Sequence, residues 1–184
     1  MTSIVQNGNE VLRAVAKAVA IEDITTPTIK KVIADMQAAL HGEYDGVAIA
    51  APQIGVSLRI FVVSGKIFDE DFKRGEMKAK KKSTTPDLVF INPEFTKISK
   101  KKKWLSEGCL SVRWLYGEVE RSVKASVRAY DEHGKKFERG GSDLLAHIFQ
   151  HEIDHLDGVL FIDKARNVEE QTKEEVEKRF KEKE

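Results

Sequence analysis

A single cysteine, Cys109, stands in a chain of 184 residues, so an internal disulfide is unavailable and a disulfide-stapled secreted scaffold is excluded. No apolar run approaches the roughly 18 residues that a membrane-crossing helix needs. Residues 1–8 also lack the basic-then-apolar pattern of a secretory signal. The expectation is a soluble cytoplasmic protein in a reducing compartment, with no membrane partner. A net charge of one sign is missing as well, since the formal total is only +1. That total hides a segregation, because residues 66–103 carry twelve Lys/Arg against six Asp/Glu and the remainder is acidic. With 41% hydrophobic residues and no repeat or interdomain linker, one core over residues 1–166 is expected, followed by a charged tail over 167–184.

Asn9 is placed to cap a short amphipathic helix over residues 10–19. Thr26-Pro27 opens a second through about His41, with Ile29, Val32, Ile33, Met36 and Leu40 at helical spacing. Both are expected on one side of a sheet. Residues 58–63 and 88–91 read as strands, the latter stopped by Asn92-Pro93. Val123, Ala125, Val127 and Ala129 alternate with polar residues toward a hairpin turn at Asp131-Glu132-His133-Gly134. Gly140-Gly141 then breaks the sheet, Ser142 is placed as a cap, and Leu144, Leu145, Ile148, Phe149 and Ile153 give a buried helix its apolar face through His155. Residues at about 65–87 are Lys-rich without periodicity, which predicts a surface excursion. In the tail, Thr172 and Glu175 are spaced as a capping box and only Val176 and Phe180 mark an apolar stripe, so a solvated helix is expected.

That buried helix carries His151-Glu152-Ile153-Asp154-His155, an HExxH signature. Histidines four apart share one helix face about 6 Å apart along the axis, within reach of one divalent ion, while Glu152 falls beside the ion, where a carboxylate takes a proton from a bound water. A catalytic site normally has three protein ligands. His147 as third ligand would stretch the set over about 12 Å of helix, too far for one ion, and reads instead as a pocket-lining or capped histidine. The histidine that a metzincin pattern demands six residues after His155 is Phe161. Glu174 or Glu175 would suit a metalloendopeptidase of the thermolysin kind, but both sit in the charged tail. Cys109, beside Gly108, is the strongest remaining candidate, although a lone cysteine is more commonly a small buried hydrophobe.

A third segment extends the pattern. Residues 46–55, Gly-Val-Ala-Ile-Ala-Ala-Pro-Gln-Ile-Gly, then Glu107-Gly108-Cys109-Leu110-Ser111, then Gln150-His151-Glu152-Ile153-Asp154-His155 resemble, in order, the three motifs of peptide deformylases. The likeness covers about residues 4–165. It implies an α+β fold of antiparallel sheets packed around a central HExxH helix, with N-terminal helices and a C-terminal one. It also implies removal of the formyl group from N-formylmethionyl nascent peptides. Carried onto matching positions, it implies Cys109, His151 and His155 as metal ligands, Glu152 as general base and then acid, and Gln53 with the Leu110 amide as oxyanion donors. Val47, Ala48, Gly108, Leu144 and His147 would line the substrate cleft. The metal favoured by the resemblance is Fe2+, and the ligand set also suits Zn2+, Ni2+ or Co2+. A monomer is expected, with transient ribosome contact through the Lys-rich segments 78–82 and 100–103 and no DNA partner. Rival readings are the HExxH endopeptidase and a non-catalytic binding protein of the same fold. Two departures stand out: Ala48 where the family usually has glycine, and Arg113 where many relatives have proline.

Overall fold

The structure is a computed structural model and describes residues 3–70, 72 and 83–181, the side chains of 177 and 179–181 excepted. Helix α1 (Pro27–Gly42) starts as its sequence dictates: Pro27 needs no amide partner in the first turn, and the Thr26 hydroxyl accepts the Ile29 N–H. Strands β1 (Ala48–Ala50), β2 (Ile60–Val63), β3 (Leu88–Ile98), β6 (Lys124–Tyr130) and β7 (Lys136–Ser142) form an antiparallel sheet in the order β1-β2-β3-β6-β7. Strands β4 (Lys102–Gly108), β5 (Leu115–Ser122) and β8 (Arg166–Glu170) form a second, in the order β4-β5-β8. Helices α2 (Asp143–Leu156) and α3 (Lys173–Lys181) complete the α+β fold.

Successive side chains of a strand point to opposite faces, and β2 shows what that does here. Ile60 and Val62 join Ile33, Met36 and Leu40 of α1 in one apolar cluster. Phe61 and Val63 join Ala146, Phe149 and Ile153 of α2 in another. The five-stranded sheet therefore has a helix on each face, and β2 is buried at all four positions. Phe61 and Phe90 stack with ring centroids 4.5 Å apart, and Phe149 of α2 meets them tilted and edge-on at 6.3 and 5.3 Å, which fixes the seat of α2 on the sheet.

Four sequence expectations are corrected. The helix over residues 10–19 is one 3-10 turn, Glu10–Arg13, after which the chain is extended. Its amides go elsewhere: Ala16 N–H donates to the Leu156 carbonyl at 2.8 Å and Lys17 N–H to that of Ser57 at 3.1 Å. Leu12, Ala16 and Val19 are buried, so tertiary docking produced the spacing of a helical stripe. Strand β3 does not stop at Asn92-Pro93; Asn92 takes a φ of 51°, its side chain bonds both backbone groups of Val19, and the register shifts there as at a bulge. Gly140 and Gly141 stay in the ladder opposite Ser126 and Ala125. A Cβ on Gly141 would meet Leu145 at 2.8 Å, so glycine lets α2 turn back closely onto the sheet. Ser142 occupies the position before α2 but makes no side-chain cap.

Strands β4, β5 and β8 were not anticipated, and β8 takes up residues 166–170 at the start of the expected tail. The Lys-rich excursion has a tied root: Gly65 N–H donates to Asp87 at 3.0 Å and Ser83 Oγ to Asp69 at 3.0 Å. Residues 78–82 lie outside the described residues, as does the side chain of Phe180. The capping box of Thr172 and Glu175 is present in both directions, and Val176 is fully buried. Among the described residues no helix is long and apolar enough to cross a membrane.

Candidate active site

Helix α2 seats Ala146, Phe149 and Ile153 on the five-stranded sheet, which turns the opposite side of the helix, with His151 and His155, toward Glu107 and Cys109 at the end of β4. Cys109 follows immediately on β4, and Gly108 is required there by a close approach: a Cβ would meet the Tyr116 ring at 2.6 Å. The Cys109 sulfur lies 3.1 Å from His155 Nε2. The thiol and one nitrogen of each histidine all lie within 4.8 Å of one another. A tetrahedral ion with bonds of roughly 2.1–2.3 Å keeps its ligand atoms about 3.5 Å apart, so this set of two nitrogens and one sulfur fits a divalent metal after small adjustments.

Gln53 arrives from the other side, on a 3-10 turn spanning Ala51–Ile54. It is 2% exposed, and its Oε1 accepts the Ala50 N–H at 2.8 Å. That bond fixes the amide orientation, so Nε2 faces Ser111 Oγ at 3.2 Å and Cys109 Sγ at 3.5 Å. The turn over Ala51–Ile54 is thus what aims the amide. Leu110 is held by its carbonyl, which accepts from Gln6 Nε2 at 3.0 Å.

One cavity is lined by Val47, Ala48, Gln53, Gly108, Cys109 and Leu110 on its walls and by Leu144, His147, His151 and Glu152 from α2. All of the expected site residues meet there except His155, which is buried behind Cys109. Glu174 and Glu175 do not approach it; both are exposed on α3, where Glu175 caps its own helix.

Sequence reasoning missed the carboxylate beneath the site. Glu107 is 1% exposed and accepts hydrogen bonds from His147 Nε2 at 2.6 Å, His151 Nδ1 at 2.9 Å and Arg121 Nε at 2.7 Å. Arg121 also reaches Asp154 at 2.6 Å. Burial drives the Glu107 pKa upward, but these three donors outweigh it and hold the group ionised, well below the usual carboxylate range. With Nδ1–H of His151 committed to Glu107, its Nε2 is the atom left to face a metal. This also answers the question of His147, which is a buried partner of Glu107. The only hint in sequence was the position of Glu107 two residues before Cys109.

Charge around the helix is graded. Burial raises the Glu152 pKa to about 7, against the opposing pull of His151. For His151, burial is outweighed by Cys109 and Glu107, and its pKa lies above the ordinary value. His155 is pushed down by burial and by facing His151, so it stays neutral. Two buried side-chain atoms lack a hydrogen-bond partner among the described residues, Glu152 Oε2 and His155 Nδ1. A buried carboxylate oxygen without a partner is costly unless something polar binds there. The arrangement suits a site that accepts a proton from a substrate-side group.

Comparison with known proteins agrees. The polypeptide deformylase family model matches residues 1–171. The peptide deformylase of Pseudothermotoga lettingae is 42% identical over 157 residues, covering 85% of this chain and 78% of its own length. That of Carboxydothermus hydrogenoformans is 39% identical over 165 residues, covering 90% and 93%. Among solved structures, a class I type b peptide deformylase from Acinetobacter baumannii with Met-Ala-Ser bound superposes with a TM-score of 0.76 at 28% identity, covering 89% of this chain and 99% of that one.

Proposed function

Since this chain belongs to the polypeptide deformylase family, a family of metal-dependent hydrolases that remove the formyl group from N-terminal formylmethionine, we propose that Cys109, His151 and His155 hold its metal. In the same reading Glu152 is the proton carrier, and Gln53 with the Leu110 N–H receives the oxyanion. The observation that carries these assignments is the clustering of the Cys/His/His donor atoms within 4.8 Å of one another, beside the cavity that holds Cys109, His151, the unpartnered Glu152 oxygen and the fixed Gln53 amide. The catalytic unit is residues 1–166 with the excursion at about 65–87, and α2 is the helix around which both sheets are arranged. Fe2+ is the proposed native metal. The neighbour from Acinetobacter baumannii holds a tripeptide beginning with methionine, which supports a methionine side chain in the cleft formed by Val47, Ala48, Gly108, Leu144 and His147.

The metal, when bound, supplies a Lewis acid that makes water nucleophilic near neutral pH. Glu152 takes the proton of the attacking water; its burial keeps proton affinity near that needed to release it again. As the formyl carbonyl becomes tetrahedral, negative charge grows on its oxygen, and the Gln53 amide and Leu110 N–H donate to it. Glu152 then passes its proton to the departing amine, and formate and a free amino terminus leave. Replacing Gln53 by Ala is expected to lower kcat for formyl-Met-Ala-Ser by about 10²–10³-fold, measured by formate release from protein loaded anaerobically with Fe2+. Absence of formate release by the wild type would overturn the whole reading.

The protein acts on nascent chains, and we place it in the cytoplasm as a monomer, where a reducing milieu keeps Cys109 unoxidised. The lysines at 100–103 are exposed around the turn into β4 and would draw the enzyme transiently to ribosomal phosphate. Co-sedimentation with ribosomes should fall steeply as salt rises; an association indifferent to salt excludes this contact.

A further inference from the structure

Three consecutive residues near the amino terminus bind three residues of the site in turn. Val5 N–H donates to the Gln53 carbonyl at 2.9 Å, Gln6 Nε2 to that of Leu110 at 3.0 Å and Asn7 N–H to that of Ser111 at 2.7 Å. Ile4 and Val5 anchor this strap on two different apolar clusters, Ile4 on the one that contains Leu110 and Val5 on the one that contains Val112. The strap thus ties the turn that carries Gln53 to the loop that follows Cys109, although the two site residues are 56 positions apart.

The same two segments supply the hydrogen bonds to the Cys109 sulfur. Ser111 N–H approaches Sγ at 3.4 Å and Gln53 Nε2 at 3.5 Å. The Ser111 N–H and the Leu110 carbonyl belong to one planar trans peptide unit, in which they point in opposite directions. A donor that holds the carbonyl therefore holds the N–H on the sulfur, and each bond of such a chain polarises the next. Gln6 is that donor, and its own amide is oriented by Arg113 N–H, which donates to Oε1 at 3.5 Å. Gln6 is exposed and is not among the residues that line the cavity, so it reaches the site through the Leu110–Ser111 peptide.

We propose that Gln6 is a positioning residue for the metal-holding thiolate: it aims the Ser111 N–H at Cys109 and, with Val5 and Asn7, keeps both N–H donors on the sulfur. The proposal rests on the reading of Cys109 as a metal ligand. A sulfur that accepts two hydrogen bonds donates less charge, and partners of this kind tune the electronic character of a metal site. Loss of the Gln6 donor should therefore leave a more electron-rich thiolate, seen as a thiolate-to-metal charge-transfer band at longer wavelength.

The test records the near-ultraviolet spectrum of the full chain loaded with Co2+, alongside kcat and KM for formyl-Met-Ala-Ser. The wild type should show a charge-transfer band that Cys109→Ser lacks. Gln6→Ala and Gln6→Glu both remove the donor. Both should move the band to longer wavelength and lower kcat by about 10-fold, the low end for a group that supports a ligand, with KM unchanged. Gln6→Lys, which restores a donor on a stem long enough to reach the Leu110 carbonyl, should return both readouts toward the wild type. A purely electrostatic effect would leave Gln6→Ala unchanged and send Gln6→Glu and Gln6→Lys in opposite directions. A merely structural strap would lower the melting temperature of the variants without moving the band. Either result, or no rescue by Gln6→Lys, overturns the proposal. All three variants alter an exposed side chain, so each is expected to fold. A wild type without a Cys109-dependent band overturns the ligand reading itself, which is distinguishable from a band that ignores Gln6.

Discussion

Replacing Glu152 by Gln is expected to lower kcat for formyl-peptide hydrolysis by about 10²–10⁴-fold while leaving bound metal unchanged. The two side chains have the same shape, so the seat of α2 is kept. What is lost is the capacity to take a proton. Glu152 is 3% exposed, and burial raises its pKa to about 7, which suits a group that must accept a proton from water and return it to an amine in one turnover. Its Oε2 has no partner among the described residues, so substitution breaks no hydrogen bond of that oxygen and the effect reads on chemistry. Metal analysis beside the formate assay separates the outcomes. A variant with full rate would place the proton transfer on another group, and a variant that loses metal would make Glu152 part of the binding set.

The elements legible in sequence were those whose pattern and local chemistry agree. Helix α1 has a proline at its first position, a threonine cap and a stripe that stays on one face, and it forms within a residue of expectation. Strand β2 is four apolar residues in a row because both faces are covered. The second sheet was illegible for the converse reason. Strand β8 is exposed at all five positions and β4 at most of its own, so neither shows an alternation to read; they exist through pairing with β5. The segment over residues 10–19 misled because Leu12, Ala16 and Val19 are buried against three different parts of the fold, and their spacing matches a helix by coincidence.

The site was more legible than the fold because its residues sit in short motifs whose chemistry dictates their spacing. Two histidines four apart must share a helix face, and Gln53 after Pro52 sits on a turn that orients its amide. What spacing does not reveal is the support beneath. Glu107 and Arg121 are 14 positions apart, on the paired strands β4 and β5, and Asp154 reaches Arg121 from α2. Only the pairing of two strands unseen in sequence brings them under the histidines. Arg113 was visible as an oddity, but its partners Asp45 and Glu43 lie about 70 residues earlier and nothing local points to them.

Replacing Cys109 by Ser is expected to abolish stoichiometric metal binding at neutral pH and, with it, turnover. A thiol ionises near 8.5 and is lowered further by a cation or by a metal, whereas a serine hydroxyl stays protonated and is a poor ligand for Fe2+ or Zn2+. The substitution is nearly isosteric and the position only partly buried, so the fold should persist, and circular dichroism should be superimposable on that of the wild type. Glu107→Gln supplies the graded comparison. It touches no metal, yet it weakens the acceptor that orients His151 Nδ1, and the loss of such support typically costs about 10–100-fold in metal affinity. The expected order of metal retention on dialysis against a chelator is wild type, then Glu107→Gln, then Cys109→Ser. Retention of one equivalent of metal by Cys109→Ser would remove Cys109 from the ligand set and reopen the choice of third ligand. Glu175→Ala should leave both metal and rate unchanged, because Glu175 is committed to the cap of α3 at Thr172.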